Sequence, residues 1–341
     1  MSELTSPPAA SSRHRWLKRF LVVLGVAIGL AAGYLFLKPV GIAVPDGSAV
    51  QPMSWSETTA AVADIQAREA ADPTIQADCR TRLLDHGERT EKVIVLLHGY
   101  TNCPKQDDEL AGELFDLGYT VYVPRAPHHG QVPERRDPLG SLKAEEVAAY
   151  GDQTMNIASG LGDEVNVLGL SGGGLVASYI AQYRADADLV VPVAAFLAPP
   201  SIPAPLTGAA LNAIELLPPI DNRDPAPDEA VRGAFPHGAS DTSIQGAAAY
   251  IRVGQTVLRS ASEMAPKAGR IVTVINDADT TVSNAMIDDL AGRWRATAPD
   301  RAQVRRLDAS LGLLHDLITP DREGQKVDVA YPMLLDILTG S

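Results

Sequence analysis

The sequence predicts an α/β protein, a mostly parallel sheet with helices on both faces, preceded by one N-terminal apolar helix. Short continuous apolar runs recur along the chain: VIVLL at 93–97, YTVYVP at 119–124, VNVLGL at 165–170, LVVPVAAFLA at 189–198 and RIVTVI at 270–275. Runs of this kind belong to strands buried on both faces. Segments of helical character separate them, the alternation that a parallel sheet with helical crossovers produces. Apart from all of these stands an uncharged stretch, Phe20 to Leu37, directly behind Arg13, Arg15, Lys18 and Arg19.

That stretch is long enough, at about 18 to 20 apolar residues, to cross a hydrocarbon core roughly 30 Å thick. It exceeds the 7–15 apolar residues usual in a cleaved signal peptide, so an uncleaved anchor over 16–38 is favoured, with a cut near Ala31-Ala32-Gly33 as the alternative. The basic flank predicts that residues 1–15 form a short cytoplasmic tail and that the chain beyond about 38 faces outward. Residues 39–54, rich in Pro, Gly and small polar residues, read as a linker. A single domain is then expected over 55–341.

Helical character runs from Trp55 to Ala71, the chain becomes strand-like after Asp72-Pro73, and turn chemistry at Asp85-His86-Gly87 precedes the next apolar run. Helices are expected at 106–117, 142–158, 174–183 and 283–296, and a further strand at QVRRL, 303–307. Between Ala198 and Lys267 the alternation breaks into proline-rich pieces, with helices expected at 206–217 and 242–264. An insertion this long in a compact domain is rarely bare loop, so 199–267 reads as a cap over one end of the sheet.

A hydrophobic fraction of 45% suffices for a large core, and a net charge of −13 without basic clusters beyond the N-terminus excludes nucleic acid as a partner. Cys79 and Cys103 both fall in the part expected to be exported, where oxidising conditions favour a disulfide between them; two unpaired thiols are the alternative. They make a poor zinc site, and His128-His129 lacks an evident third ligand, so no metal is expected.

GLSGG at 169–173 places Ser171 among glycines, between an apolar strand and a helix. No lysine follows as a phosphate-binding loop would need, and no dinucleotide fingerprint is present, so no cofactor is expected. The pattern fits a sharp turn that presents a nucleophile: the serine is strained, and a side chain two positions before or after it would clash. Such a serine needs a base, an acid that orients the base, and donors for an oxyanion. On sheets that carry this turn the partners follow in the order Ser, Asp or Glu, His, each after a strand. Asp279, in NDADTTV after RIVTVI, is preferred to Asp277 as the acid. His315 is the one histidine downstream of it. Backbone N–H groups of Tyr100, in the HGY that ends VIVLL, and of Gly172 are the candidate oxyanion donors, while His98 is expected to brace its loop and Asp316 to be solvated or to cap a turn.

With VLLHGYTNCP, GLSGGG, NDADTTV and LLHD in view, residues 91–341 resemble the α/β-hydrolase family, and within it the serine esterases similar to monoacylglycerol lipases. PRAPHHG at 124–130 is similar to a GHG segment of these lipases, with His128 in place of a glycine. The resemblance implies an α/β-hydrolase fold and a carboxylic ester hydrolase working through an acyl-enzyme. A membrane-anchored, extracytoplasmic enzyme acting on a small-molecule or lipid ester is the expectation. Peptidase, thioesterase or acyltransferase chemistry on the same residues, or a non-catalytic binding protein of this fold, are the alternatives.

Overall fold

The strands form where the apolar runs predict, because a run with no polar face can only be buried on both sides. The computed structural model describes residues 10–44, 53–132, 138–217 and 243–340. Parts of the expected tail, linker and cap, at 1–9, 45–52 and 218–242, lie outside the described residues. Seven strands make one sheet: β1 (Arg82–Leu84), β2 (Thr90–Leu97), β3 (Thr120–Val123), β4 (Gly162–Leu170), β5 (Leu189–Val193), β6 (Arg270–Asn276) and β7 (Ala302–Leu307). Their order is β1-β3-β2-β4-β5-β6-β7. Only the short edge strand β1 runs antiparallel, against β3. The other pairings are parallel.

The helices are α1 (Ala10–Leu37), α2 (Trp55–Ala71), α3 (Asp108–Asp116), α4 (Ala144–Leu161), α5 (Gly172–Tyr183), α6 (Thr207–Leu216), α7 (Ile244–Glu263), α8 (Asn284–Thr297) and α9 (Val327–Thr339). The chain steps from β2 to β3 in one direction and from β3 onward to β4, β5, β6 and β7 in the other. Right-handed crossovers therefore put α3 on one face and α4, α5, α7 and α8 on the other, where α4, α5 and α7 pack on one another. Buried Gln182 ties this layer together by accepting from Trp294 Nε1 at 2.8 Å and donating to Ser260 Oγ at 3.2 Å. α9 was not anticipated; it contains Pro332, and its Leu338 carbonyl accepts from Tyr119 Oη.

A reversal of direction opens a crevice at the carboxyl ends of the two strands where it occurs, here β2 and β4. Among the described residues four non-glycines have positive φ: Thr101, His128, Ser171 and Ala194, at +71°, +65°, +57° and +44°. They follow β2, β3, β4 and β5 respectively, so the strained backbone of the described chain gathers at that same edge. In the GHG-like segment His128 occupies the left-handed region, a conformation that favours glycine.

α1 carries a 23-residue stretch, Arg15–Leu37, long and apolar enough to cross a membrane by length and composition, and it is not buried in the protein. A core helix would have been covered. The expected linker begins tied down: Ile42 N–H donates to Thr256 Oγ1 of α7 at 2.9 Å, and Arg259 donates to the Val40 carbonyl. Both helices expected within 199–267 are present, as α6 and α7, but α7 packs with α4 and α5 on the face of the sheet rather than over its end.

Cys79 and Cys103 are joined by a disulfide with a Cα–Cα distance of 5.1 Å, and both are buried. The bridge closes a 24-residue separation and anchors the start of the turn after β2 to the segment that follows α2. Replacing both cysteines by serine should lower the unfolding free energy by about 3 kcal/mol, the chain-entropy value for a loop of this size. Thermal melts would show the drop, and kcat should fall with KM little changed, because Cys103 follows Tyr100 by three residues. An unaltered melting temperature would refute the structural role.

Candidate active site

Leu97, the last residue of β2, pairs with Gly169 on β4, so the loop after β2 and the turn after β4 leave the sheet side by side. Ser171 occupies the turn at φ +57°, ψ −110°, immediately ahead of α5. Its N–H donates to the Val193 carbonyl at 2.9 Å, and its carbonyl accepts from Phe196 and Leu175, each at 2.9 Å. These bonds hold a conformation that serine alone would not choose. A Cβ on Gly169 would collide with the Gly173 carbonyl, and one on Gly173 with the Leu97 carbonyl. Glycine is needed there for space. The positive end of α5 then points at whatever Ser171 holds, favouring developing negative charge.

A Cβ added at Gly172 would lie 2.6 Å from the Tyr100 nitrogen. The two candidate oxyanion donors are thus neighbours across the crevice. His98 braces the loop as expected: Ala126 N–H donates to its Nε2 at 3.1 Å, which leaves Nδ1 as the donor to the Gly99 carbonyl at 3.0 Å. Burial, reinforced by the Arg125 charge, pushes this imidazole down to about 4. His129, also buried, is pushed well down by burial and by the neighbouring His98. Tyr100 Oη reaches the cap, donating to the Ser243 carbonyl at 2.8 Å.

On the far side of β4, the loop after β6 carries Asp279 and the loop after β7 carries His315. Asp279 Oδ2 accepts from His315 Nδ1 at 2.5 Å, while Oδ1 takes the N–H groups of Thr281 at 2.7 Å and Val282 at 3.4 Å. Asp277 is engaged elsewhere, paired with Arg306 at 2.8 Å. The structure therefore joins His315 to Asp279 and sets Ser171 beside Tyr100; among the described residues no hydrogen bond links Ser171 Oγ to His315. His128 Nε2 meets Glu146 at 3.2 Å, and among the described residues no group of three His, Cys, Asp or Glu could hold a metal.

Two positioning residues had no sequence signal. Gln106 Oε1 accepts from Gly99 N–H at 2.7 Å and its Nε2 donates to Asp316 Oδ2 at 3.0 Å, tying the Tyr100 loop to the residue beside His315. Asn276, at the end of β6, donates from Nδ2 to the carbonyls of Leu313 at 3.1 Å and Leu314 at 3.0 Å, hanging the His315 loop from the strand that leads to Asp279. Asp316 is not solvated. It is 3% exposed and accepts from Thr319 Oγ1 at 2.6 Å and from the N–H groups of Ile318 and Thr319. Next to Gln106, fully buried Asp107 has neither carboxyl oxygen hydrogen-bonded. Burial, with Asp316 nearby, pushes its carboxyl well above the usual range.

Replacing Gln106 by Leu would leave Gly99 N–H unpaired and cut the tie from the Tyr100 loop to Asp316, whose Oδ2 keeps the Thr319 hydroxyl as a hydrogen-bond donor. It should lower kcat about tenfold with KM nearly unchanged, since loop misplacement of this kind acts on orientation. Steady-state kinetics on a soluble ester test this, and equal changes in kcat and KM would count against it. For His98, imidazole nitrogen shifts followed by NMR from pH 7 to 4.5 should stay those of a neutral Nδ1–H ring. Because the unfolded ring titrates near 6.5, the unfolded state binds the extra proton between the two values. The resulting stability is complete above about pH 6.5 and is lost as pH falls through 4, about 3 kcal/mol in all.

A family model described as the alpha/beta hydrolase family matches residues 94–323, from within β2 to beyond His315. A thermostable monoacylglycerol lipase of Bacillus sp. (strain H-257) is 31% identical over 121 residues, 34% of this chain and 45% of that protein. The match therefore spans less than half the length of that relative. Among solved structures, one reported for the metagenome-derived lipolytic enzymes LipS and LipT superposes with a TM-score of 0.56 at 18% identity, covering 78% of this chain and 99% of the other. A monoacylglycerol lipase of Paleococcus ferrophilus gives 0.56 at 16%, covering 76% and 98%. A soluble variant of the Saccharomyces cerevisiae monoglyceride lipase gives 0.55 at 14%, covering 76% and 90%. At such identities the superpositions establish the shared fold, and with the family's own pattern spanning both the Ser171 turn and the His315 loop, the chain belongs to the alpha/beta hydrolase family.

Proposed function

We propose that this protein is a membrane-anchored serine hydrolase that cleaves acyl esters, with a monoacylglycerol-like lipid as the substrate class. The observation that carries the reading is the placement of a strained Ser171 against the Tyr100 loop, at the same sheet edge as the Asp279–His315 pair. Asp279 accepts the Nδ1 proton of His315 and so leaves Nε2 as the base. Ser171 Oγ attacks the ester carbonyl, its proton passes to Nε2, and the carbonyl oxygen becomes an oxyanion between the N–H groups of Tyr100 and Gly172. Each such donor contributes roughly 3 kcal/mol to the barrier reduction. The proton on Nε2 then goes to the departing alcohol, and water, deprotonated by the same nitrogen, releases the acid and restores the serine.

The lipid character of the substrate is supported by the Bacillus relative, by the apolar cap helix LTGAALNAIELL and by α1. The basic residues at the start of α1, Arg13, Arg15, Lys18 and Arg19, support an orientation with the catalytic domain outside the cytoplasm. Ser171→Ala should abolish both turnover and labelling by a fluorophosphonate probe while the melting temperature stays within a few degrees of wild type. Persistent labelling would assign the nucleophile elsewhere. Across p-nitrophenyl esters from acetate to decanoate, kcat/KM should rise with chain length as apolar area is buried. A preference for acetate would remove the lipid substrate and leave a short-chain esterase.

A further inference from the structure

Outside α1, the exposed large apolar side chains of the described residues are Leu117, Leu206, Leu216, Leu217 and Met264. Three of the five flank or end one short helix, α6 of the cap. The same helix is fastened to the outer end of α1. Asn212, 1% exposed, donates from Nδ2 to the carbonyls of Leu35 and Lys38, each at 3.0 Å, and so satisfies acceptors that the end of α1 leaves open. Lys38 Nζ donates to Tyr34 Oη at 3.0 Å and pairs with Glu215 at 2.5 Å, and Glu215 also pairs with Arg252 of α7 at 2.9 Å. Val40 packs into a small apolar cluster with Leu211, Ala248 and Ile251.

This arrangement fixes a depth. The 23 residues from Arg15 to Leu37 measure roughly 35 Å along a helix, enough to cross roughly 30 Å of hydrocarbon, so the outer boundary falls near Tyr34 and Lys38. A tyrosine and a lysine at that level are the residue types that settle at the headgroups. Asn212 is in contact with that boundary through two hydrogen bonds, and α6 cannot stand away from it. A cavity of about 620 Å³ opens beside the clamp, lined by Lys38, Ile42, Leu142, Ile214, Leu217 and Ala248 among others. Helix α7, which forms one wall, also places Tyr250 against Tyr100.

We propose that Asn212 and Glu215 clamp the cap to the end of the membrane helix, so that Leu206, Leu216 and Leu217 lie in the lipid surface and the enzyme takes its ester from the bilayer itself. This rests on the membrane-anchored hydrolase reading above and adds to it a fixed pose, in which the partner of the cap is the lipid that surrounds α1. Asn212 acts as a positioning residue. A freely tethered domain would sample all orientations, whereas a clamped one holds its apolar face at the interface continuously.

The full chain in phosphatidylethanolamine–phosphatidylglycerol vesicles provides the test. With Cys79 and Cys103 bonded to each other, Leu216→Cys offers one thiol for a nitrobenzoxadiazole label. Its emission should be strongly quenched by phospholipid spin-labelled near the headgroup. The same label at Leu117→Cys, at the end of α3 where that helix has run back from the site edge of the sheet, should not be quenched. Asn212→Ala should lower hydrolysis of vesicle-embedded monoacylglycerol about tenfold while p-nitrophenyl acetate turnover is unchanged, and should weaken the quenching at position 216. Co-sedimentation with vesicles after alkaline carbonate reports on the anchor, and p-nitrophenyl acetate turnover on the serine chemistry. If both hold and position 216 stays unquenched, the clamped pose is wrong while the enzyme reading stands. Release by carbonate would overturn the anchor and the pose together, and loss of soluble-ester turnover in wild type would overturn the hydrolase reading itself.

Discussion

The site depends on how closely two backbones approach at the ends of β2 and β4. Leu97 pairs with Gly169, and Gly173 on the first turn of α5 comes so near the Leu97 carbonyl that no side chain fits between them. That proximity lets an N–H from the loop after β2 and an N–H from the start of α5 address one point in space. Widen it by one methyl group and both loops must move. The strain at Ser171 is maintained by the same contacts, since its N–H and carbonyl are bound by residues that belong to or follow β5. Rigid neighbours hold the residue where its hydroxyl can react.

Around this contact the buried polar groups are arranged to stay neutral or fully paired. His98 has one nitrogen accepting and the other donating, so protonation would cost a hydrogen bond as well as desolvation. Asp316 gathers four donors, and burial pushes the unbonded Asp107 carboxyl beside it well up. Gln106 and Asn276 carry the mechanical linkage, one from the Tyr100 loop to the His315 loop, the other from β6 to the same loop. The Tyr100 hydroxyl extends the linkage to the cap, and through α7 and α6 it continues to the end of α1.

Elements governed by short-range rules were legible in the sequence. The glycines around Ser171 follow from local sterics, the buried strands from runs with no polar face, and the cap helices from periodicity between prolines. α1 was legible because uninterrupted apolar length admits few other uses. α9 escaped because Pro332 interrupts its pattern, and the strand character expected after Asp72-Pro73 is realised only in the three residues of β1. The segment after Lys38 read as a linker from composition, yet Val40 and Ile42 are hydrogen-bonded to α7 by partners more than 210 positions away, and Val40 packs against Leu211 of α6.

By itself, then, the sequence determined the fold class, the serine on its turn, and the order in which Asp279 and His315 follow it, because each depends on residues within a few positions or on strand order along the chain. Tertiary structure alone decided that His315 meets Asp279 while Arg306 holds Asp277, that Gln106 reaches Asp316 across 210 positions, and that Asn212 caps the end of α1. The physical reason is that such contacts exist only after the sheet has set the order β2-β4-β5-β6-β7. A single amide or carboxylate leaves no periodic trace, so nothing in the linear chain marks which distant partner will satisfy it.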